Sequence, residues 1–259
     1  MSQTRAIDSL LQASAVHQQW RDILASALQA VDGDYLERLL ADDRWLPGAD
    51  KLFRAFQRDR QHCRYILFGE SPYPRAQSAN GIAFYDAAVD ALWSDKGLSK
   101  AVNRATSLRN IMKTALLAEG LLAPDGDGKI TQPMIAALDK STLIDSIDEF
   151  FSALQARGFL LFNATPVLHP QRKPQAEARV WQGFVERLLH EIATGDAPLP
   201  TLVLWGKIAQ QIEAIEVARS FPQIASEHPY NISFINNKNM QQLFAQLRLL
   251  QSTPATQQP

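Results

Sequence analysis

The chain has 259 residues, 46% of them hydrophobic, which is enough to bury a sizeable core and unlike a disordered or fibrous composition. Its 26 Lys and Arg against 27 Asp and Glu leave a formal charge of −1, so no global positive field draws in a polyanion and any nucleic-acid surface must be a local patch. The single cysteine, Cys63, excludes an internal disulfide and multi-cysteine metal frameworks and fits a reducing compartment. No apolar run approaches the ~18 residues of a membrane span, and the N-terminus lacks a charged-then-apolar signal. The expectation is a soluble, cytoplasmic protein with no membrane partner.

Residues 1–60 read as helices that cover a sheet. Ile7, Leu10, Leu11 and Ala15 keep helical spacing, as do Trp20, Ile23, Leu24 and Leu28, then Tyr35, Leu36, Leu39 and Leu40. A turn at 45–48 precedes a short helix expected over 51–60, carrying Leu52, Phe53 and Phe56. Tyr65-Ile66-Leu67-Phe68 then reads as a buried strand that breaks at Gly69 and Pro72. Its tip carries Glu70, Ser71 and Tyr73, beyond the carboxyl end of a strand, where open α/β sheets bind ligands. Gly81 lets the chain return, and Phe84 comes back to that tip. A carboxylate, a hydroxyl and two aromatics at one strand end suggest a pocket for a flat ring.

Between Ser94 and Lys113 the chain holds Lys96, Lys100, Arg104, Arg109 and Lys113 against one acid, Asp95. This is either a phosphate-facing surface or a solvated helix face. A helix follows with Thr106 or Ser107 as its N-cap and ends near Gly120. The loop 124–128 resembles a calcium loop but lacks the later acid, so no metal is expected there. Further helices are expected over 143–156, 180–194 and 236–250, and one from Gly206-Lys207 through Ile212. Strands are expected over 158–162 and 202–205, with a last short one before Ala225. The second strand breaks at Asn163, whose amide offers the donor and acceptor that reading a pyrimidine edge requires. The loop 169–174 is basic and proline-stiffened, and His228 precedes a proline-fixed turn. Strands separated by helices, with no repeat and no linker, predict one three-layer α/β/α domain over 1–250 with a central, mostly parallel four-stranded sheet. Residues 251–259 read as a disordered tail.

Taken together, the strand ends resemble the uracil-DNA glycosylase superfamily, nearest its family 1, over roughly residues 20–250. Gly69-Glu70-Ser71-Pro72-Tyr73-Pro74 is similar to the water-activating motif Gly-Gln-Asp-Pro-Tyr-His, and Gly81-Ile82-Ala83-Phe84 to Gly-Leu-Ala-Phe. Ser107-Leu108-Arg109-Asn110-Ile111 resembles the helix start after the proline-rich loop, and Leu160-Leu161-Phe162-Asn163 the Leu-Leu-Asn strand. Leu204-Trp205-Gly206-Lys207 resembles Leu-Trp-Gly-Ser, and His228-Pro229-Tyr230-Asn231-Ile232-Ser233 resembles His-Pro-Ser-Pro-Leu-Ser.

The resemblance implies an enzyme that flips a nucleotide out of single- or double-stranded DNA and hydrolyses its N-glycosidic bond. It implies that Phe84 stacks on the base, Asn163 bonds its Watson–Crick edge and Tyr73 excludes a C5 methyl. His228 would hydrogen-bond O2, and Ile232 would fill the vacated space. Lys207, Ser107 and the backbone around Tyr230 and Ser233 would hold phosphates. No metal or organic cofactor is implied, and a monomer is expected. The family's catalytic aspartate is Ser71 here, which leaves Glu70 as the neighbouring carboxylate. Gly-Glu-Ser-Pro also resembles family 4, although that family's iron–sulfur cysteines are missing. The motif His is Pro74, the proline-rich loop has lost its prolines near Arg104, and the segment from Tyr85 to Ser107 looks longer than usual. Three readings stay open: a uracil glycosylase, a glycosylase of another or modified base, and a DNA-binding homologue without activity.

Overall fold

The computed structural model describes residues 2–252. The elements run α1 (Gln3–Ala13), α2 (Gln18–Leu28), α3 (Gly33–Leu40), β1 (Tyr65–Gly69), β2 (Trp93–Ser94), β3 (Gly97–Leu98), α4 (Lys100–Arg104), α5 (Thr106–Ala118), α6 (Gln132–Ala136) and α7 (Ile147–Ala156). They continue with β4 (Phe159–Asn163), α8 (Pro174–Thr194), β5 (Thr201–Trp205), α9 (Lys207–Glu213), β6 (Gln223–Ser226) and α10 (Lys238–Leu247). Two compact units form. Among the described residues, one holds 2–86 and Gly158–Ile224; the other holds Ala87–Arg157 and 225–252.

The first unit is built on the sheet, whose strand order is β4-β1-β5-β6, with β1 parallel to both β4 and β5. The expected four-stranded α/β architecture is present. Alternate residues Ile66, Phe68, Leu160, Phe162, Leu202 and Leu204 join one core with α1, α2, α3 and α8, as the period of two demands. Each large apolar side chain buried there contributes about 1.5–3 kcal/mol. Leu67, Leu161 and Val203, from the opposite face, are buried as well.

Phe53 and Phe56 pack on Phe162 as the pattern suggested, with ring centroids 6.4 and 5.0 Å away. The helix expected over 51–60 is instead two isolated 3₁₀ turns, Arg54–Phe56 and Arg60–His62. Bonds three residues back replace helical ones, and the Trp20 indole N–H takes the Arg58 carbonyl at 3.0 Å. Helix α8 begins at Pro174 rather than near Val180, because proline suits the first helical position, where an N–H would go unused. Its first turn carries Glu177, fully buried, which pairs with Arg172 and accepts from the Tyr35 hydroxyl at 2.7 Å. A buried acid breaks the apolar pattern.

In the second unit, α5 has no side-chain cap. It follows α4 through Ala105, and Ser99 caps α4 instead of Thr106 or Ser107 capping α5. Helix α7 starts at Ile147, not 143, because Ser146 and Glu149 form a capping box. Helix α10 begins at Lys238 behind the cap of Asn237 and stops at Leu247, where Arg248 turns left-handed. The chain then pairs back: the Ile144 N–H donates to the Leu250 carbonyl and the Ser252 N–H to the Thr142 carbonyl, each at 3.0 Å. Gln251 and Ser252 are thus tied down, and the remainder of the expected tail, 253–259, lies outside the described residues. Among the described residues no helix is long and apolar enough to cross a membrane.

Candidate active site

In the first unit three strand ends supply the candidate residues. Gly69 pairs with Asn163 at the last rung of β1 and β4. The ladder runs on, with the Ala164 N–H donating to the Gly69 carbonyl at 2.9 Å and the Thr165 N–H to that of Glu70 at 3.0 Å. A Cβ on Gly69 would overlap Asn163 Oδ1 and approach Ala83 Cβ to 2.8 Å. Glycine therefore lets the Asn163 carboxamide lie over β1. Asn163 is 6% exposed, and no hydrogen bond engages its amide among the described residues. A polar group held in place with its bonds unspent is available to a ligand.

Phe84 reaches this end through a tight return. The Ala83 N–H donates to the Leu161 carbonyl at 3.1 Å, and Phe84 takes φ 64°, which is costly for a residue other than glycine. Gly81, at φ 83°, is obligatory because a Cβ would collide with the Lys51 carbonyl. The Tyr73 hydroxyl donates to the Phe84 carbonyl at 3.2 Å, and the Phe84 ring meets Trp205, the last residue of β5, edge to face at 5.0 Å. Burial, aided by the Asp86 carboxylate and opposed by Arg75, pushes the Tyr73 phenol up to about 12, so it keeps its proton at neutral pH. Arg75 and Asp86 pair at 3.1 Å across the base of this loop. Ser71 is half-buried and Glu70 is exposed at the tip. Lys207 is exposed at the first position of α9, after Gly206 at φ 64°.

The second unit carries the histidine loop. The His228 Nδ1 accepts from the Tyr230 N–H at 3.0 Å, and the Asn231 N–H donates to the His228 carbonyl at 2.9 Å. With Nδ1 accepting, the neutral ring carries its proton on Nε2, an assignment made from the hydrogen bonds. Tyr230 and Ile232 are 67% and 74% exposed, unusual for side chains of that size. Ser233 follows in the 3₁₀ turn Ile232–Asn236. Burial works to raise the Glu227 carboxyl, but hydrogen bonds from Ser233, its own backbone and Asn237 outweigh it and hold it below the usual value.

Ser107 lies in the first turn of α5. Three residues on, Asn110 donates from Nδ2 to the Pro229 carbonyl at 2.8 Å. The sequence places Asn110 in a motif without assigning it a role. The available signal was a polar residue among Leu108, Ile111, Met112 and Ala115, all buried on α5. Of the five basic residues in the expected patch, Lys96, Lys100 and Arg104 are exposed. Arg109 is spent on the Asn103 carbonyl at 3.1 Å, and Lys113 on that of Ile130 at 2.6 Å. Burial, and then Arg109, depress the Lys113 pKa. Among the described residues no group of three His, Cys, Asp or Glu side chains lies close enough to hold a metal. The 124–128 loop closes on itself, with Asp125 Oδ1 accepting the Asp127 and Lys129 N–H groups.

No protein-family model matches the chain. It is 38% identical to the wild-type UNG of Nitratifractor salsuginis in a crystal structure, with a TM-score of 0.89 over 96% of this chain and 98% of that one. It is 27% identical over 224 residues to the uracil-DNA glycosylase of Corynebacterium glutamicum, covering 84% of this chain and 81% of that protein. It is 25% identical over 252 residues to that of Tropheryma whipplei strain Twist, covering 95% of each. These similarities run over both units, and the chain belongs to the uracil-DNA glycosylase superfamily.

Proposed function

We propose that the protein is a monofunctional DNA glycosylase that removes uracil from DNA. Water attacks C1′ of the flipped nucleotide, the N1–C1′ bond breaks with its electron pair going to the ring, and an abasic sugar remains. The observation that carries this reading is Asn163, a buried amide laid over Gly69 with its hydrogen bonds unspent, beside the half-buried Phe84 and Tyr73. Asn163 takes the Watson–Crick edge of the base and Phe84 stacks on its face. Tyr73, fixed through the Phe84 carbonyl, stands against C5. His228 donates Nε2–H to O2 as negative charge develops there, which stabilises the transition state more than the substrate. Ile232 enters the DNA stack as an exposed apolar wedge. Lys207, Ser107 and Ser233 contact phosphates. Water is the only co-substrate, and the protein acts on DNA as a cytoplasmic monomer.

Ser71 is where this chain departs from the family, since serine supplies no negative charge at neutral pH. Glu70, exposed at the same strand end, is assigned to orient the water and offset the sugar's positive charge. Removing a positioned acid or base costs about 10²–10⁴ in rate. Single-turnover release of uracil should fall by that factor in Glu70→Gln. Activity confined to Ser71→Asp would instead favour the other two readings, a pocket that serves another base or a homologue that only binds DNA.

A further inference from the structure

Asn110 is 1% exposed on the apolar face of α5, and its carboxamide is bonded at both ends, Oδ1 accepting from Arg109 Nε at 3.5 Å. Nδ2 faces three successive carbonyls, those of Pro229 at 2.8 Å, Asn231 at 3.3 Å and Tyr230 at 3.5 Å. The first of these belongs to a particular peptide unit. The Pro229 C=O and the Tyr230 N–H are the two ends of one planar amide, and that N–H is the donor to His228 Nδ1 at 3.0 Å. Asn110 therefore grips one end of a rigid plate whose other end holds the histidine ring. Chained hydrogen bonds of this kind polarise one another, so the grip also strengthens the Nδ1 contact. The α5 backbone beneath is fixed in turn, the Thr114 hydroxyl donating to the Asn110 carbonyl at 2.8 Å.

We propose that Asn110 is a positioning residue for His228. Through the 229–230 peptide it sets the orientation of the imidazole and fixes the tautomer with the proton on Nε2. It touches neither base nor sugar. This rests on the role given to His228 above, and its test separates the two ideas. Asn110→Leu keeps the branched shape and removes the donor. ¹⁵N-edited NMR of the full-length protein reads the tautomer without any substrate. Wild type should hold His228 as Nε2–H, and Asn110→Leu should convert it to a mixture of tautomers. Single-turnover uracil release at saturating DNA should then fall about 10²-fold, the usual consequence of misplacing a reacting group by an ångström, while DNA affinity changes by less than about threefold. If Asn110→Leu fails to fold, Asn110→Asp, nearly isosteric, is read in the same way. A mixed tautomer in a protein whose wild type releases no uracil would support the positioning role and refute the glycosylase reading. An unchanged Nε2–H tautomer in the variant, whatever its turnover, would overturn the proposal.

Discussion

At the strand ends of the first unit, Asn163 is held by its pairing with Gly69, and Phe84 by the bond from Ala83 to Leu161 and by Tyr73. His228 instead sits in a turn whose 229–230 peptide is gripped by Asn110 of α5, and beside it stand the two exposed apolar side chains Tyr230 and Ile232. The difference fits the tasks proposed for the two regions. A pocket that tells one base from another has to be rigid before the base arrives, whereas groups that enter DNA have to project from the surface. One region should therefore fail through packing and the other through loss of single side chains.

The largest break in this contrast should come from Gly69→Ala. Its Cβ takes the space of Asn163 Oδ1, so uracil release should drop by about 10³-fold or more while the His228 tautomer is untouched; single-turnover rates and ¹⁵N spectra read the two separately. His228→Ala should lower single-turnover release by about 10²–10³-fold, the range for losing one donor to a developing oxyanion, with DNA affinity by fluorescence anisotropy nearly unchanged. Ile232→Ala should be milder, about tenfold on duplex and less on single strands, since only a duplex needs the vacated space filled.

The smallest effect is on stability in alkali. The Tyr73 pKa is raised from the usual value near 10 to about 12, so its contribution is full below pH ~10 and is lost as pH rises through about 12. In urea titrations across that window Tyr73→Phe should lose stability less steeply than wild type. Tyr35, also raised by burial and Glu177, titrates equally in both.

What the sequence made legible was whatever leaves a local pattern. The runs at 65–68, 159–162 and 202–204 are short and wholly apolar, which marks strands buried on both faces, and each ends in a breaker beside a polar residue. The candidate site residues were found because they stand at those breaks or in loops with recognisable motifs. What stayed hidden depends on partners distant in sequence. The first turn of α8 was masked by Glu177, a buried acid tolerated only because Tyr35 and Arg172 meet it. The apparent helix at 51–60 has helical spacing, but Trp20 claims the Arg58 carbonyl. Asn110 acts on carbonyls more than a hundred residues away, and no spacing rule encodes that. Helix α10 ends early because the chain after Arg248 pairs with residues 142–144.

The most direct test of the account is single-turnover base release from oligonucleotides that differ only in carrying uracil or thymine at one site, with wild type beside Asn163→Ala. The account predicts that wild type releases uracil and leaves thymine, and that Asn163→Ala loses uracil release while its circular dichroism and melting stay close to wild type. Wild type that releases no uracil, or Asn163→Ala that releases it at the wild-type rate, would contradict it.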